Sequence, residues 1–428
     1  MAAVTQRINS YLGGVSKQSD DKMLPGQVRE CYNGFPDATY GLTKRPGFKH
    51  VVNLGTGTTY DDGKWFYIKR DDDEEYVGVI KGNAINIWNA VSGNACTVTY
   101  GTNAQTYLSG VKTDYKIITV QDTSIVINSS VTVTTQAAPT FTTGLVASIE
   151  VAYVTSNTTY TINITIGGST QTASYTSPSS GVDVDTILSS LESSINGMSG
   201  DHANITVTRL ANSLELTSPA SMEVDAEGGI DNKGLLSVQD EVASVGELPV
   251  RSVQNRVVKI VNTNSSADTY FAKFKAHNDV SGDGYWEETR DPSVSAGLND
   301  STLPHELVNT AVDTFIFREI SYEDRLVGDD ETNSHPSFKD EKITAGFFHN
   351  NRLGFLSKDN VIMSQSGDFY NFYFKSAQTT IDSDPVDISC SSIKPTALHA
   401  ALPTAQGVVL FSENQQFVMF ADAGVLTP

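Results

Sequence analysis

Cysteine is scarce in this chain of 428 residues, which contains three at widely separated positions: Cys31, Cys96 and Cys390. An odd number of cysteines without CxxC or CxxxC spacing indicates neither a disulfide framework nor a zinc site. We therefore expect three free thiols, buried as free cysteines commonly are.

Long hydrophobic runs are also missing from the sequence. No stretch of about 18 uninterrupted apolar residues occurs, and the N-terminal MAAVTQRINSYLGG lacks the long apolar segment of a signal peptide. The sequence predicts a chain without a membrane anchor that is made in a cytoplasm.

Basic residues are few relative to acidic ones. Lysine and arginine number 29, aspartate and glutamate number 50, and the net charge is −21. Affinity for nucleic acid depends on Lys and Arg displacing counterions from phosphates, so this balance argues against a protein that wraps a nucleic-acid backbone. An acidic surface is compatible with a conduit for DNA, because like charges remove the attractive positions at which DNA would stall.

The motifs of several catalytic machineries are absent. The sequence has no GxSxG nucleophile elbow, no HExxH zinc motif and no GxxxxGK[ST] phosphate loop. We therefore expect no catalytic residue, no cofactor and no bound metal, and a protein that is not an enzyme.

Two groups of carboxylates are candidates for glycan hydrolysis, which requires only two carboxylates at a defined separation. The contiguous run Asp71 to Glu75 lies between predicted strands, and a solvated turn is the favoured interpretation. Asp382, Asp384 and Asp387 have a spacing closer to that of a metal site, but a turn leading into a strand past Pro385 is favoured for them.

Two other candidate features favour structural roles. Residues 279–290 resemble a calcium loop at its first positions, but Arg290 occupies the twelfth, where a carboxylate is required. A hairpin turn is the better interpretation. For His305 and His349 we expect packing or hydrogen bonding rather than a role as a base.

Short β-rich runs separated by polar turns recur along the chain, first as a meander in Lys64 to Val91. Similar runs occupy residues 114–136, 347–367 and 407–422. Paired strands of this kind are typical of propeller blades or sandwich hairpins. We predict propeller-like sheets.

The middle of the chain, from about Thr140 to Glu247, is rich in Thr and Ser and carries one helical signal. Val184, Ile187, Leu188, Leu191 and Ile195 recur at helical spacing, with Asp183 or Asp185 to cap the start and Gly197 to end the helix. Alternating strands flank it at residues 159–176 and 203–218. The pattern predicts a small inserted α+β module.

A further strand pair is predicted at residues 255–262 and 269–290, with a tight turn in Val280 to Gly284. The segment Asp291 to Glu341 is predicted to be a loop in which only Leu303 to Val312 is helical. So long an irregular stretch is typical of an interface or a wrapping arm.

The predicted fold class is mainly β with a minor α+β module, in which propeller-like meander sheets form a platform. The expected organisation, from N- to C-terminus, is an arm and platform segment (1–63), β-rich blades (64–139), the inserted α+β module (140–250), a strand pair with a long loop (251–346) and further blades (347–428).

Three stretches resemble the tail tubular protein B, or nozzle, family of short-tailed (podovirus) bacteriophages. The first, residues 12–48, is similar to the family's opening segment with Gly-Gly, Ser-x-Gln and Lys-Arg-Pro elements. The second is residues 303–308 followed by residues 328–338. The third, residues 347–389, contains FFHNNRLGFLSKDNVIMSQSGDFYNFY and DSDPVDIS.

This resemblance implies a structural virion protein of the phage tail, in a six-fold homo-oligomeric ring below a dodecameric portal adaptor similar to tail tubular protein A. It implies tail fibres attached near the boundary with the adaptor, and double-stranded DNA passing through the ring during ejection without specific binding. Family members are much longer, so we expect this chain to lack a C-terminal half, with the channel gate outside the sequence.

Five residues are candidates for interface or structural roles. Lys44 and Arg45 present two cations before a rigid turn, which suits docking to an acidic neighbour across a subunit boundary or a local salt bridge. Arg352 suits bidentate bonds that join strands or subunits, or a packing role. Asp384 and Asp387 complete the set.

Two alternative functions remain at this point. One is a tail-associated glycan-degrading enzyme on a β-propeller or β-sandwich scaffold. The other is an adhesin whose Thr- and Ser-rich middle module binds a host receptor.

Overall fold

The computed structural model describes residues 10–55, 58–71, 73–261, 269–392, 394 and 396–421. It contains two compact units. One comprises the described part of Met1–Thr59 together with Ala90–Gly93, and the other comprises the described part of Tyr60–Asn89 and Asn94–Pro428.

The fold is mainly β, as predicted. The described residues form one α-helix, α1 (Val184–Asn196), and short 3-10 helices at Ala104–Leu108, Gly200–Asn204, Ile230–Asn232, Val245–Glu247 and Asp300–Thr302. The strands in chain order are β1 (Gly34–Asp37), β2 (Gly41–Lys44), β3 (Lys64–Lys69), β4 (Glu75–Lys81), β5 (Ala84–Asn89), β6 (Thr97–Tyr100), β7 (Tyr115–Val120), β8 (Thr123–Asn128), β9 (Val146–Val151), β10 (Thr159–Ile166), β11 (Ser169–Thr176), β12 (Thr206–Leu210), β13 (Ser213–Thr217), β14 (Met222–Glu227), β15 (Leu235–Val238), β16 (Glu241–Val242), β17 (Arg251–Val253), β18 (Val257–Ile260), β19 (Tyr270–Ala276), β20 (Ser281–Thr289), β21 (His305–Ala311), β22 (Thr314–Glu319), β23 (Ala345–His349), β24 (Arg352–Ser357), β25 (Asn360–Met363), β26 (Val386–Ser389), β27 (Leu398–Thr404), β28 (Gly407–Ser412) and β29 (Gln416–Met419).

In the smaller unit, β1 and β2 form an antiparallel hairpin. The side chain of Asp37 accepts hydrogen bonds from the backbone N–H groups of Thr39 and Tyr40, which closes the turn. A parallel bridge joins Val15 to Val28.

The predicted helix is confirmed, and its ends follow from capping chemistry. The Asp183 carboxylate accepts from the backbone N–H of Thr186 at 2.7 Å, so Asp183 is the N-cap. Gly197 ends the helix. The buried face consists of Ile187, Leu188, Leu191 and Ile195.

Helix α1 belongs to an α+β module built from two antiparallel sheets, ordered β12-β13-β9-β15 and β11-β10-β14. The two predicted hairpins are both present. Gly167 and Gly168 have φ of 57° and 79°, which only glycine adopts freely, and they form the β10–β11 turn. The helix and both sheets share one hydrophobic core.

The predicted hairpin at residues 269–290 is present as β19 and β20, but its turn lies earlier than Val280 to Gly284. The Asn278 side chain accepts from the N–H groups of Val280 and Ser281. Residues 281–283 are in the sheet because they pair with β17. This second contact, which the local pattern does not reveal, lengthens the strand.

The prediction that Leu303 to Val312 is helical was wrong. His305–Ala311 is strand β21, which pairs with β22 on one side and with β8 on the other. The segment Asp291 to Glu341 therefore contains two sheet strands and is less irregular than predicted. A central position between two strands satisfies backbone hydrogen bonds on both sides, and this overrides local helix preference.

Four sheets of the larger unit pack in series, and the strands β9 to β20 of three other sheets lie in the chain between β8 and β21 of the second. Their orders are β3-β4-β5, then β7-β8-β21-β22-β6, then β23-β24-β25-β26, then β27-β28-β29. All neighbouring strands within them are antiparallel except the β6–β22 pair. Three successive hydrophobic cores lie between the first and second, the second and third, and the third and fourth sheets.

One edge strand of each of these sheets borders a common groove of about 380 Å³. Side chains or backbone of β3, β7, β23 and β27 line it, including Lys64, Lys116, Gly346 and His399. One edge of each of the four sheets therefore lies at this groove, and a hydrophobic core separates each sheet from the next.

Candidate functional site

Within the described ranges, no group of three or more His, Cys, Asp or Glu side chains is placed to hold a metal ion. The three cysteines are free and half-buried. No helix in the described part of the chain is long and apolar enough to cross a lipid bilayer.

The acidic run after β3 forms a turn with local partners. Asp71 accepts hydrogen bonds from the N–H groups of Asp73 and Glu74, and these bonds lower the pKa of Asp71. Glu74 pairs with Arg70 at 2.9 Å. Glu75 accepts from Tyr67 and pairs with Lys69. Asp72 lies outside the described residues.

A cavity of about 360 Å³ gathers further carboxylates, including Glu287, Glu288 and Asp324. Each has a structural partner. Glu288 accepts from Ser376 Oγ and from the N–H of Ala377, Asp324 accepts from the Gln136 side chain, and Glu287 pairs with Lys273. These carboxylates connect elements of the fold.

Arg352 and Asp384, two of the predicted residues, lie together in the protein interior, where Arg352 is 2% exposed and Asp384 is 1% exposed. The Arg352 guanidinium donates to the backbone carbonyls of Ser364, Asp382, Ser383 and Asp384 at 2.6–3.3 Å. Burial lowers the pKa of Arg352, and the Asp384 charge opposes that shift. Arg352 joins β24 to the loop before β26 within one chain.

Asp384 and Asp387 organise that loop further. Asp384 Oδ2 accepts from the N–H of Ile381 at 2.8 Å, which is the turn predicted ahead of Pro385. Asp387 Oδ2 accepts from the N–H of Ser337 at 2.7 Å and ties β26 to the segment before β23.

Lys44 and Arg45 lie at the end of β2, in the smaller unit. The Arg45 Nε donates to Asn33 Oδ1 at 2.7 Å, and its guanidinium lies 4.3 Å from the centroid of the Phe48 ring. Lys44 is exposed. The structure thus divides the five candidates between the two units.

The sequence did not indicate the role of Arg325. The side chain is fully buried and donates to the carbonyls of Asp329, Asn333 and Ser295 and to Asp330 Oδ1 at 2.8–3.0 Å. It holds the segment after β22 in place. No local signal separates this arginine from an exposed one.

A buried ion pair between Arg256 and Glu215 was also missed. Arg256 Nη1 lies 3.2 Å from Glu215 Oε1, and both side chains are almost fully buried. Ser148 and Ser252 donate hydrogen bonds to the same carboxylate. Burial lowers the pKa of Arg256, while the charge of Glu215 opposes that shift. The pair joins the α+β module to the β16-to-β20 sheet.

His305 has the packing role that we expected. Its ring centroid lies 4.1 Å from that of Tyr107 and 5.5 Å from that of Phe317. Its Nδ1–H donates to the Leu303 carbonyl at 2.8 Å. Burial lowers the pKa of His305 to about 4. Burial also lowers the pKa of the half-buried His349.

The buried histidine predicts a loss of stability in acid. Between pH 6.5 and about pH 4, the unfolded chain binds a proton at His305 that the folded chain does not bind, so the free energy of unfolding should fall as pH falls. His335, whose pKa burial lowers to about 4, adds to this loss. Asp300, whose pKa burial raises to about 6, opposes it.

The measurement is the urea midpoint at several pH values. His305→Phe keeps an aromatic ring in the stack and removes the proton site, so its midpoint should change less with pH than that of the wild type. The exposed His399→Gln variant is the control and should keep the wild-type slope. Equal slopes for His305→Phe and the wild type would contradict the prediction.

Comparison with known proteins agrees with the resemblance described above. A family model described as bacteriophage nozzle protein matches residues 1–428. Tail tubular protein gp12 of Escherichia phage T7 is 28% identical over 451 residues, which cover 100% of this chain and 54% of that protein. The chain therefore spans about half the length of this curated relative. The chain belongs to the bacteriophage nozzle protein family and is a structural component of the phage tail.

Proposed function

We propose that the chain is a subunit of a nozzle ring that extends the tail tube below the portal adaptor and forms an acidic conduit for double-stranded DNA. The observation that carries the proposal is the match of the nozzle family model to residues 1–428. The proposed role depends on geometry and charge and requires no catalysis.

In this proposal six copies form the ring. An adaptor similar to tail tubular protein A lies above it, and tail fibres attach near the boundary between the two. A closed ring requires each copy to contact its neighbour through two different surfaces. Interfaces of this kind are broad, usually above about 1,200 Å² of total buried area.

The charge supports the conduit. Acidic residues outnumber basic ones by 50 to 29. Proteins that retain DNA neutralise phosphates with Lys and Arg, and an acidic lumen would instead repel the DNA backbone and leave it free to slide.

A propeller-like body and the five-segment organisation are part of the same proposal. In a propeller, the innermost edge strand of each blade faces a central channel, and successive blades pack face to face. The groove bordered by β3, β7, β23 and β27, and the three cores between successive sheets, support this arrangement.

Electron microscopy of the intact virion tests the proposal. We expect six copies of the chain in a ring directly below the adaptor, with Asp and Glu side chains lining the lumen. A chain located outside the tail tube, a monomer in the tail, or a lumen lined with Arg and Lys would contradict it. Release of reducing sugar from host capsule by the purified chain would favour the glycan-degrading alternative.

A further inference from the structure

The N-terminal segment of residues 10–55, called the arm below, has no hydrophobic core of its own. None of its apolar side chains is buried. Tyr32, Tyr40 and Phe48 are 82%, 81% and 90% exposed. Other exposed apolar side chains of the arm are Tyr11, Leu12, Val15, Leu24, Phe35, Leu42, Val51 and Val52. So many exposed apolar residues in one short segment mark an interaction surface.

The regular structure of the arm is too small to be stable alone. Its only sheet among the described residues is the hairpin of β1 and β2, with four residues in each strand. A two-stranded hairpin in water has marginal stability, and it needs a third strand or a packing partner. A hairpin of this size therefore needs a packing partner to be stable.

The charge of the arm is opposite to that of the rest of the chain. Residues 10–55 contain six Lys and Arg against four Asp and Glu, a net charge of +2. The remaining residues contain 23 Lys and Arg against 46 Asp and Glu, a net charge of −23. An acidic protein surface is therefore the complementary partner for the arm.

Cationic and aromatic groups are combined at the end of β2. The Arg45 guanidinium is held by Asn33 and lies over the Phe48 ring, and the exposed Lys44 and Lys49 flank this pair. Arginine and aromatic side chains dominate the binding energy of protein interfaces. The pair is thus arranged for contact with a protein that carries carboxylates.

We propose that the arm docks onto the acidic surface of a second copy of this chain. This inference rests on the proposed function, because it assumes that copies assemble into a ring. Ring closure needs two unlike surfaces on each copy. The basic, aromatic arm and the acidic remainder of the chain provide two such surfaces. Each arm then buries its apolar side chains against the neighbouring copy.

The test uses the full chain and compares two double variants. Lys44→Glu with Phe48→Ser changes one cation and one exposed aromatic of the arm. Lys233→Glu with Tyr285→Ser likewise reverses one exposed cation and removes one exposed aromatic ring, but outside the arm, and is the matched control. Sedimentation velocity measures self-association, and circular dichroism checks that both variants are folded.

We expect the arm variant to raise the dissociation constant for self-association at least about 100-fold, as loss of interface hot spots does. The control variant should stay near the wild type. Wild-type association should weaken with rising salt, because screening reduces attraction between exposed charges. Equal association of the arm variant and the wild type, or a monomeric wild type, would overturn the proposal.

A crosslinking experiment distinguishes docking between copies from docking within one copy. A benzophenone amino acid replaces Phe48 in an untagged chain, which is mixed with a larger tagged chain before irradiation. Products that join tagged and untagged chains support the proposal, and products confined to one chain overturn it. A six-fold ring in the virion whose arms crosslink only within their own chains would contradict this inference and leave the proposed function intact.

Discussion

Replacement of Glu215 by glutamine should lower the free energy of unfolding by about 3–5 kcal/mol, because it removes the carboxylate that contacts the buried Arg256 charge. Glu215 and Arg256 are almost fully buried, and their atoms approach to 3.2 Å. Arg256 also donates to the carbonyls of Val238 and Gln239, which help to hold its guanidinium in this buried position. Urea unfolding monitored by circular dichroism measures the loss.

Two further variants show that the effect belongs to the pair. Glu215→Leu combined with Arg256→Met removes both charges together and should recover most of the lost stability, since apolar replacement of a buried pair is often neutral. Glu75→Gln removes the exposed pair between Lys69 and Glu75 and should leave the transition unchanged. A Glu215→Gln transition at the wild-type midpoint would refute the energetic role of the pair.

Replacement of Arg352 by lysine should destabilise the sheet of β23 to β26 by about 3 kcal/mol or more. The guanidinium satisfies four backbone carbonyls in the protein interior. The lysine ammonium has three donors on a single nitrogen and cannot reproduce the planar fork. Each buried carbonyl that loses its hydrogen-bond partner destabilises the folded state by about 1–3 kcal/mol. Thermal unfolding measures this change.

The matched control is Arg251→Lys, at a partly exposed arginine that pairs with Asp283. Its melting temperature should remain close to that of the wild type, because an ammonium in contact with water can replace a guanidinium there. If Arg352→Lys melts at the wild-type temperature as well, Arg352 does not hold the loop that precedes β26.

The elements that were predictable from sequence depend on residues that lie close together in the chain. Helix α1 was predictable because its apolar spacing, its Asp183 cap and its terminal Gly197 all lie within fifteen consecutive residues. The β10–β11 hairpin was predictable for the same reason, since Gly167 and Gly168 form its turn.

Strand β21 was not predictable from its own residues. It pairs with β8, which lies about 180 residues earlier in the chain, and that pairing decides its conformation. The turn between β19 and β20 moved for a related reason, because β17 pairs with Ser281 and Asp283 and extends the sheet.

For the candidate residues, too, the sequence left open which partners they contact. The sequence indicated that Arg352 joins strands or subunits through hydrogen bonds, or has a packing role. The structure shows its guanidinium hydrogen-bonded to carbonyls of its own chain. Whether Lys44 and Arg45 contact another subunit stays a prediction, which the arm variants test.

The sequence by itself determined the mainly β class, the position of the helix, the strong acidic charge and membership of the nozzle family, because composition, local periodicity and motif order are properties of the linear chain. Only the tertiary structure decided which charges are buried. Arg256, Arg325 and Arg352 resemble surface arginines in the sequence, and their burial depends on carboxylates and carbonyls brought together by folding. A buried charge requires such partners, and most of them come from distant parts of the chain.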